Sequence, residues 1–348
     1  MSTYGLAIVG FGGMGSWHAT RIKDVEGLTL KGVFDISEKR QEFAREKGIH
    51  TYTSLSEILA DPSVHIVLIA TPNDLHKEIA ITAMDAGRHV ICEKPVTLSS
   101  GDLAEMIDAS TRNKVLFTVH QNRRWDEDYL TMKKIFDEKQ LGNVFSIESR
   151  VHGSRGIPGD WRGRAAHGGG MILDWGVHIL DQMVLMVPGK IKKVYCKCTH
   201  VTNEEVDDGF RIILTFESGV TALLEVGTSN FINLPRWYMQ GENGSAIIEN
   251  WALQGKIIHV TNYDNRDAVP IVTAAGLTKT MAPRTEDTIK ESALPKVELD
   301  AREFYKNVIA TLDGKAAQIV KNDQVMRIMK LMEAAFLSDK LNQVVDFE

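Results

Sequence analysis

Residues 5–15 read GLAIVGFGGMG, an apolar run that breaks into glycines and then continues into a helix-forming stretch. Few folds accept such an opening. The spacing G-x-G-x-x-G between a strand and a helix gives each glycine its own purpose. Gly10 makes the tight turn, Gly12 lets backbone approach a pyrophosphate, and Gly15 lets helix and strand pack closely. The helix start offers free N–H groups and the positive end of a dipole to the phosphates. Gly10, Phe11, Gly12, Gly13, Met14 and Gly15 are therefore read as a dinucleotide cradle. Asp35 closes the next apolar run, about 20 residues on, where an acid accepts hydrogen bonds from a ribose and repels a 2'-phosphate. NAD is thus favoured over NADP, although Lys39 and Arg40, one turn further, offer cations to a phosphate. A solvent-facing loop acid is the plainer alternative for Asp35.

The organisation of the chain agrees with this opening. Strand patterns at 5–10, 28–35, 65–72, 89–95 and 115–120 alternate with helical ones, including 74–86, ended by Gly87, and 99–112. That alternation predicts a doubly wound parallel sheet with crossover helices. It stops near residue 122, and a helix over about 126–139 follows. Beyond it come strand patterns without intervening helices (143–152, 192–201, 209–216, 220–228, 236–244 and 245–250), which predict a large, mostly antiparallel sheet covered by helices at 170–186, 300–312 and 322–339. The expected division is a dinucleotide-binding domain over 1–122 and a substrate and oligomerisation domain over 123–348, with the last helices able to return to the first domain. Residues 262–296 carry no readable pattern.

Composition narrows the partners. A net charge of −6 without basic blocks argues against nucleic acid, and no apolar run nears the ~20 residues of a membrane span. Three cysteines, with Cys196 and Cys198 alternating along a strand, fit neither a disulfide framework nor a zinc knuckle. No metal site is expected, and the chain reads as cytoplasmic with a small-molecule ligand. A homo-oligomer, dimer or tetramer, is expected if the large sheet leaves an apolar face open; Val194, Cys196, Cys198 and the run TALLEVGT are candidates for that face or for the core.

In doubly wound sheets ligands lie beyond the carboxyl ends of the strands, which brings Thr71, Pro72, Asn73 and His76 along the cofactor. His76 is equally a first-turn helical residue without a ligand. The fourth strand ends in Glu93-Lys94-Pro95, and its spacing alone leaves open a surface charge pair or a site bordering the cofactor. Residues 167–181 read HGGGMILDWGVHILD. On a regular helix Asp174, His178 and Asp181 share one stripe of an otherwise apolar surface, so that stripe must face a cleft or buried partners. The three glycines before it either allow tight packing or keep the ground beside the cofactor clear. The polar loop GDWRGRAAHGG (159–169) offers Trp161 as a wall for a sugar ring, with Arg162, Arg164 and His167 beside it; Asn122, Arg123, Arg124 and Trp125 are placed at the pocket or the domain seam.

The glycine fingerprint, CEKPVTLS and GGGMILDWGVHILDQ, in this order, resemble the Gfo/Idh/MocA family of nicotinamide-dependent oxidoreductases along essentially the whole chain, and HQNRRWDED (120–128) resembles its inositol and sugar dehydrogenases. The resemblance implies a Rossmann domain, a second α/β domain on an open sheet, and an active site between them. It also implies a cis peptide before Pro95 and the catalytic set Lys94, Asp174 and His178. Alcohol oxidation needs a proton acceptor beside a hydride acceptor, and histidine suits the first role near neutral pH. The expected activity is hydride transfer from a secondary hydroxyl of a cyclic polyol, pyranose sugar or glycoside, inositol or a sugar 3-hydroxyl, to NAD. Two alternatives stand beside it: a non-catalytic dinucleotide-sensing regulator, and an enzyme that recycles tightly held NAD through a transient keto-sugar.

Overall fold

The structure is a computed structural model that describes residues 3–263, 270–278, 281 and 283–348. Five strands, β1 (Tyr4–Val9), β2 (Leu28–Phe34), β3 (Ile66–Ile69), β4 (His89–Cys92) and β5 (Phe117–Val119), form a parallel sheet in the order β2-β1-β3-β4-β5. Helices α1 (Gly13–Ile22), α2 (Glu38–Glu46), α3 (Leu55–Ala60), α4 (His76–Asp85) and α5 (Ser100–Asn113) make the crossovers. β1, β3 and β4 are buried on both faces, which is why they read as unbroken apolar runs rather than alternating ones. Ser99 caps α5 by accepting the Asp102 N–H, and Gly87, at φ 76°, follows α4. α2 carries one buried residue, Ala44, so no apolar stripe announces it in the sequence.

After α6 (Glu127–Asp137) the chain builds a nine-stranded sheet. Its strands are β6 (Val144–His152), β7 (Ile191–Thr199), β8 (Gly209–Phe216), β9 (Thr221–Gly227), β10 (Trp237–Gly241), β11 (Gly244–Ile248) and β12 (Gly255–Val260), then β15 (Ile289–Ser292) and β16 (Val345–Asp346), while β13 (Ile271–Thr273) and β14 (Gly276–Thr278) form a separate hairpin. The order is β15-β12-β11-β10-β6-β9-β8-β7-β16, with β6–β9 its one parallel pairing. The fold class is therefore α/β, a parallel Rossmann sheet beside a large, mostly antiparallel one.

Alternation along β7 puts Val194, Cys196 and Cys198 in the core, with Ala222, Leu224 and Val226 of TALLEVGT buried as well. α9 (Asn322–Leu341) closes the free edge of β7: Ser338 Oγ and Asp339 Oδ1 accept the N–H groups of Cys196 and Cys198. The other side of the sheet carries Tyr195, Ile213, Leu223 and Tyr238 in one cross-strand row with Glu148. α9 also lies against α5, β5 and the helix α7 (Val177–Met186), and α8 (Glu303–Leu312) sends Tyr305 beneath the first sheet's carboxyl end. Both sheets are thereby tied to one crevice. Among the described residues, no helix is long and apolar enough to cross a membrane.

Candidate active site

A groove of about 740 Å³ runs over the carboxyl ends of the parallel strands. At one end it is bordered by Asp35, Ile36 and Arg40, along its floor by Gly10, Gly12, Gly13 and Met14, and at the other end by Thr71, Pro72, Asn73, Glu93, Lys94, Trp161, Arg162 and Asp174. The glycines fall into two kinds. A Cβ on Gly10, whose φ is 93°, would sit 2.6 Å from the Ala70 carbonyl oxygen, and one on Gly15 would sit 2.0 Å from the Gly10 carbonyl oxygen. Beside Gly12 and Gly13, apart from the adjoining backbone and chain neighbours, no described atom comes within 4 Å of such a Cβ. Gly10 and Gly15 serve the fold; Gly12 and Gly13 leave room. α1 starts there with no side chain capping its N–H groups, so the residues present fit a dinucleotide pyrophosphate.

Asp35 organises the loop besides bordering the groove. Its Oδ2 accepts the Phe11 N–H at 2.7 Å and its Oδ1 the Ser37 N–H at 2.9 Å, which ties the glycine loop to the end of β2. Phe11 itself is fully buried, so its contribution is backbone. His76 lies outside the groove. It is fully buried, with Nε2 3.0 Å from the Thr71 carbonyl and Nδ1 3.1 Å from the Pro95 carbonyl, and so braces two strand-end turns from behind.

The Lys94–Pro95 peptide is cis. Lys94 Nζ donates to the carbonyl and to Oδ1 of Asp174, both at 3.1 Å, joining the first sheet to the helix at 171–186. Burial opposes the charge of Asp174, but Lys94 and Arg162, whose Nε is 3.5 Å from Oδ2, outweigh it and hold the carboxyl below its ordinary range. His178 is buried, and its Nδ1 is enclosed without a hydrogen-bond partner. Burial, then the cations Lys94 and Arg123, hold the imidazole well below its ordinary 6.5, so it is neutral.

This helix is not regular. Residues Ile172–Gly176 form a π turn, in which the Val177 N–H reaches back five residues to the Ile172 carbonyl. The wider turn separates the polar side chains that a regular helix would align. Asp174 meets Lys94 at the groove, whereas Asp181 is turned into a bidentate pair with Arg124, both bonds at 2.7 Å. Arg124 also reaches the Ile319 carbonyl and Gln324, anchoring the segment before α9. The glycines preceding the helix are there for packing. A Cβ on Gly168 would lie 2.2 Å from Leu98, on Gly169 2.2 Å from the Arg162 carbonyl, and on Gly170 2.3 Å from Asp207 Oδ1. Asn73 clamps the turn by donating to the Gly168 carbonyl at 3.0 Å. Asp207 accepts the Ile172 N–H at 2.8 Å, and burial pushes its carboxyl up to about 7.

A second chamber of about 370 Å³ adjoins the same helix, lined by Arg123, His152, Met171, Trp175, Thr228 and Trp251 among others. The Arg123 guanidinium stacks 4.0 Å over Trp175, whose ring is 5.9 Å from that of His178. Nothing in the sequence singles out Met171, Trp175, His152 and Trp251, since aromatic and apolar residues on a helix, a strand or a hairpin turn look like core until a cavity opens between them. Trp161 and Arg162 border the groove, but His167 points to Asp74 at 3.2 Å and lines neither cavity. Among the described residues, one cluster has metal-capable spacing: His18, Glu93 and His120, with ligand atoms within 4.8 Å of one another. Glu93 Oε1 is 2.7 Å from both His18 Nε2 and His120 Nδ1. That is hydrogen-bond length, shorter than the ~3.3 Å between two ligands on a tetrahedral ion.

Comparison with known proteins is consistent along the chain. Residues 4–121 match the oxidoreductase family with an NAD-binding Rossmann fold, and residues 129–247 match the GFO/IDH/MocA C-terminal domain. The crystal structure of an NAD-binding protein from Listeria innocua is 48% identical and superposes with a TM-score of 0.96, over 99% of this chain and 100% of that one. An uncharacterized oxidoreductase of Schizosaccharomyces pombe is 30% identical over 84% of both chains. The scyllo-inositol 2-dehydrogenase (NADP(+)) IolW of Bacillus subtilis is 26% identical over 100% of this chain and 97% of its own.

Proposed function

The chain belongs to the GFO/IDH/MocA family of NAD(P)-binding oxidoreductases, and from that premise we propose that it oxidises a secondary hydroxyl of a cyclic polyol, a pyranose sugar or a glycoside, with His178 as base. The observation that carries the reading is the Lys94–Asp174 pair at the far end of the dinucleotide groove, held by the same helix that carries buried His178, whose imidazole lies close enough to feel the Lys94 charge although it lines neither cavity. A bound nicotinamide supplies the hydride acceptor. His178 takes the hydroxyl proton; with Nδ1 enclosed, Nε2 is the nitrogen left to receive it. Lys94 donates a hydrogen bond to the reacting oxygen and stabilises the charge that grows as its proton leaves. Asp174 orients Lys94 and accepts from a neighbouring hydroxyl. Trp175 and Trp251 give the second chamber the aromatic walls that suit the apolar face of a sugar ring, and Trp161 and Arg162 close the groove side.

Asp35 favours NAD, and Arg40, bordering the same end of the groove, is the residue through which NADP would be accepted. We place the division between cofactor and substrate halves at residues 122 and 123. The three free cysteines are buried and suit a cytoplasmic setting, and the row of Tyr195, Ile213, Leu223 and Tyr238 suits a second copy of the chain. Purified protein with NAD or NADP, against a panel of inositols, monosaccharides and glycosides, tests the activity by nicotinamide absorbance. A stoichiometric rise in reduced nucleotide with one polyol or sugar supports it. Product without that rise supports recycling of the held nucleotide, and dinucleotide binding with no turnover across the panel removes the dehydrogenase reading in favour of a sensor.

A further inference from the structure

Glu93 is the acidic half of the Glu-Lys pair at the end of β4, and the mechanism above does not use it. Its surroundings are unusual for a carboxylate. It is 4% exposed, yet it borders the groove. Oε1 accepts from two histidines, His18 on α1 and His120 after β5, each at 2.7 Å, and Oε2 accepts the Lys94 N–H at 3.2 Å. His18 Nδ1 is in turn 2.6 Å from the Tyr305 hydroxyl of α8, so four elements converge to hold one charged group. Among the described residues only these histidines lie within ion-pairing distance of it, burial disfavours the charged form of His18, and neither a lysine nor an arginine side chain neutralises the carboxylate. The ammonium of Lys94 is instead turned to Asp174.

This negative charge lies at a particular end of the groove. Asp35, Ile36 and Arg40 mark the adenosine end and the glycine loop the pyrophosphate, which leaves Glu93, Lys94 and Asp174 at the end that receives the nicotinamide. The oxidised ring is a cation and the reduced ring is neutral, while the two nucleotides are otherwise alike. We propose that Glu93 selects the redox state of the nucleotide by charge: fixed by His18 and His120 at the nicotinamide end, its carboxylate makes the protein hold the oxidised form more tightly than the reduced one. The inference rests on the reading of this groove as a nicotinamide site. Its consequence for that function is directional, since the protein would load with the hydride acceptor and release the reduced product.

Two measurements test it, both on binding rather than turnover. Glu93→Gln keeps an acceptor oxygen for the histidines and removes the charge; the ratio of the dissociation constants of NADH and NAD+ is expected to fall on the order of tenfold, the effect of one charge several ångströms away in a partly screened site. A purely structural role would weaken both forms alike, so an unchanged ratio overturns the proposal. The second measurement needs no variant and can overturn the proposal even if Glu93→Gln does not fold. The wild-type protein is titrated with NAD+ and with the dinucleotide in which benzamide replaces nicotinamide, flat and aromatic but uncharged. Tighter binding of NAD+ by about tenfold supports charge selection, and equal or reversed affinity overturns it. Failure of every dinucleotide to bind would instead overturn the functional reading on which the inference stands.

Discussion

Gly12 offers a test in which stability and ligand affinity are expected to part company. Its backbone is extended, at φ −75° and ψ −153°, and beyond the adjoining residues no described atom lies within 4 Å of where a Cβ would be, so Gly12→Ala introduces neither strain nor a clash. The unliganded protein should lose at most ~1 kcal/mol, the difference between glycine and alanine at a helix N-cap. The space a methyl would take is the space through which backbone N–H groups reach a pyrophosphate. Losing one charge-assisted hydrogen bond there costs ~1.5–3 kcal/mol, or roughly 10- to 150-fold in affinity. Differential scanning fluorimetry with and without nucleotide reads both quantities. At a nucleotide concentration of 100 Kd the wild type gains ~2.7 kcal/mol from binding, whereas a variant weakened ~100-fold gains only ~0.4 kcal/mol, so the ligand-induced rise in Tm nearly vanishes. Gly15→Ala is the counterpart: its Cβ would lie 2.0 Å from the Gly10 carbonyl oxygen, and the unliganded Tm itself should drop. An unaltered nucleotide Kd in Gly12→Ala, or an unliganded protein as unstable as Gly15→Ala, would show that the open space at Gly12 is not the phosphate site.

His178→Ala should lower kcat by roughly 10² to 10⁴ while leaving nucleotide Kd nearly unchanged, and wild-type turnover would remove the residue from the mechanism. Because burial, Lys94 and Arg123 hold His178 below its ordinary value, kcat/KM against pH should stay level down to pH 6.5 and fall only below it; Lys94→Met, measured on its residual rate, should move that limb upward. Arg124→Met leaves the Asp181 carboxyl, which burial already pushes upward, without its partner in the interior, which should cost about 3–5 kcal/mol of unfolding free energy by denaturant titration, while Arg124→Met with Asp181→Leu should recover much of it. Burial disfavours the charged forms of His18, His76 and His178, so below pH 6.5 the unfolded chain takes up protons at these three sites that the folded one does not, outnumbering the single proton that folded Asp207, raised to about 7, holds in the same range, and stability should decline as pH falls; a denaturant midpoint rising from pH 7 to pH 5.5 would contradict this.

Much of the fold is legible in the sequence because it is written in local terms. The strands of the parallel sheet are continuous apolar runs, the glycine loop follows the first of them directly, and the second half lacks helices between its strands. Some local signals are legible only in part. The helix after Gly170 is evident from its apolar surface, but the π turn at Ile172–Gly176 is not, since nothing in ILDWG separates it from ordinary helix. Across that turn Asp174 meets Lys94 while Asp181 pairs with Arg124. For His76 the sequence leaves two readings open, a cofactor neighbour or a first-turn helical residue without a ligand, and only the tertiary structure shows both ring nitrogens occupied by the Thr71 and Pro95 carbonyls.

By itself, then, the sequence determined the two sheets and the glycine loop that joins the first strand to its helix, because periodicity and glycine placement are properties of neighbouring residues, while Lys94, Asp174 and His178 stand out only through resemblance to a family. Only tertiary structure decided that Glu93 is gripped by histidines 75 and 27 positions away, that Cys196 and Cys198 face the core rather than a partner, and that Trp175 and Trp251 bound a chamber. Those outcomes depend on which distant elements meet. A side chain's charge, burial and access to ligand are set by its neighbours in space, and a one-residue change in helical phase is enough to exchange them.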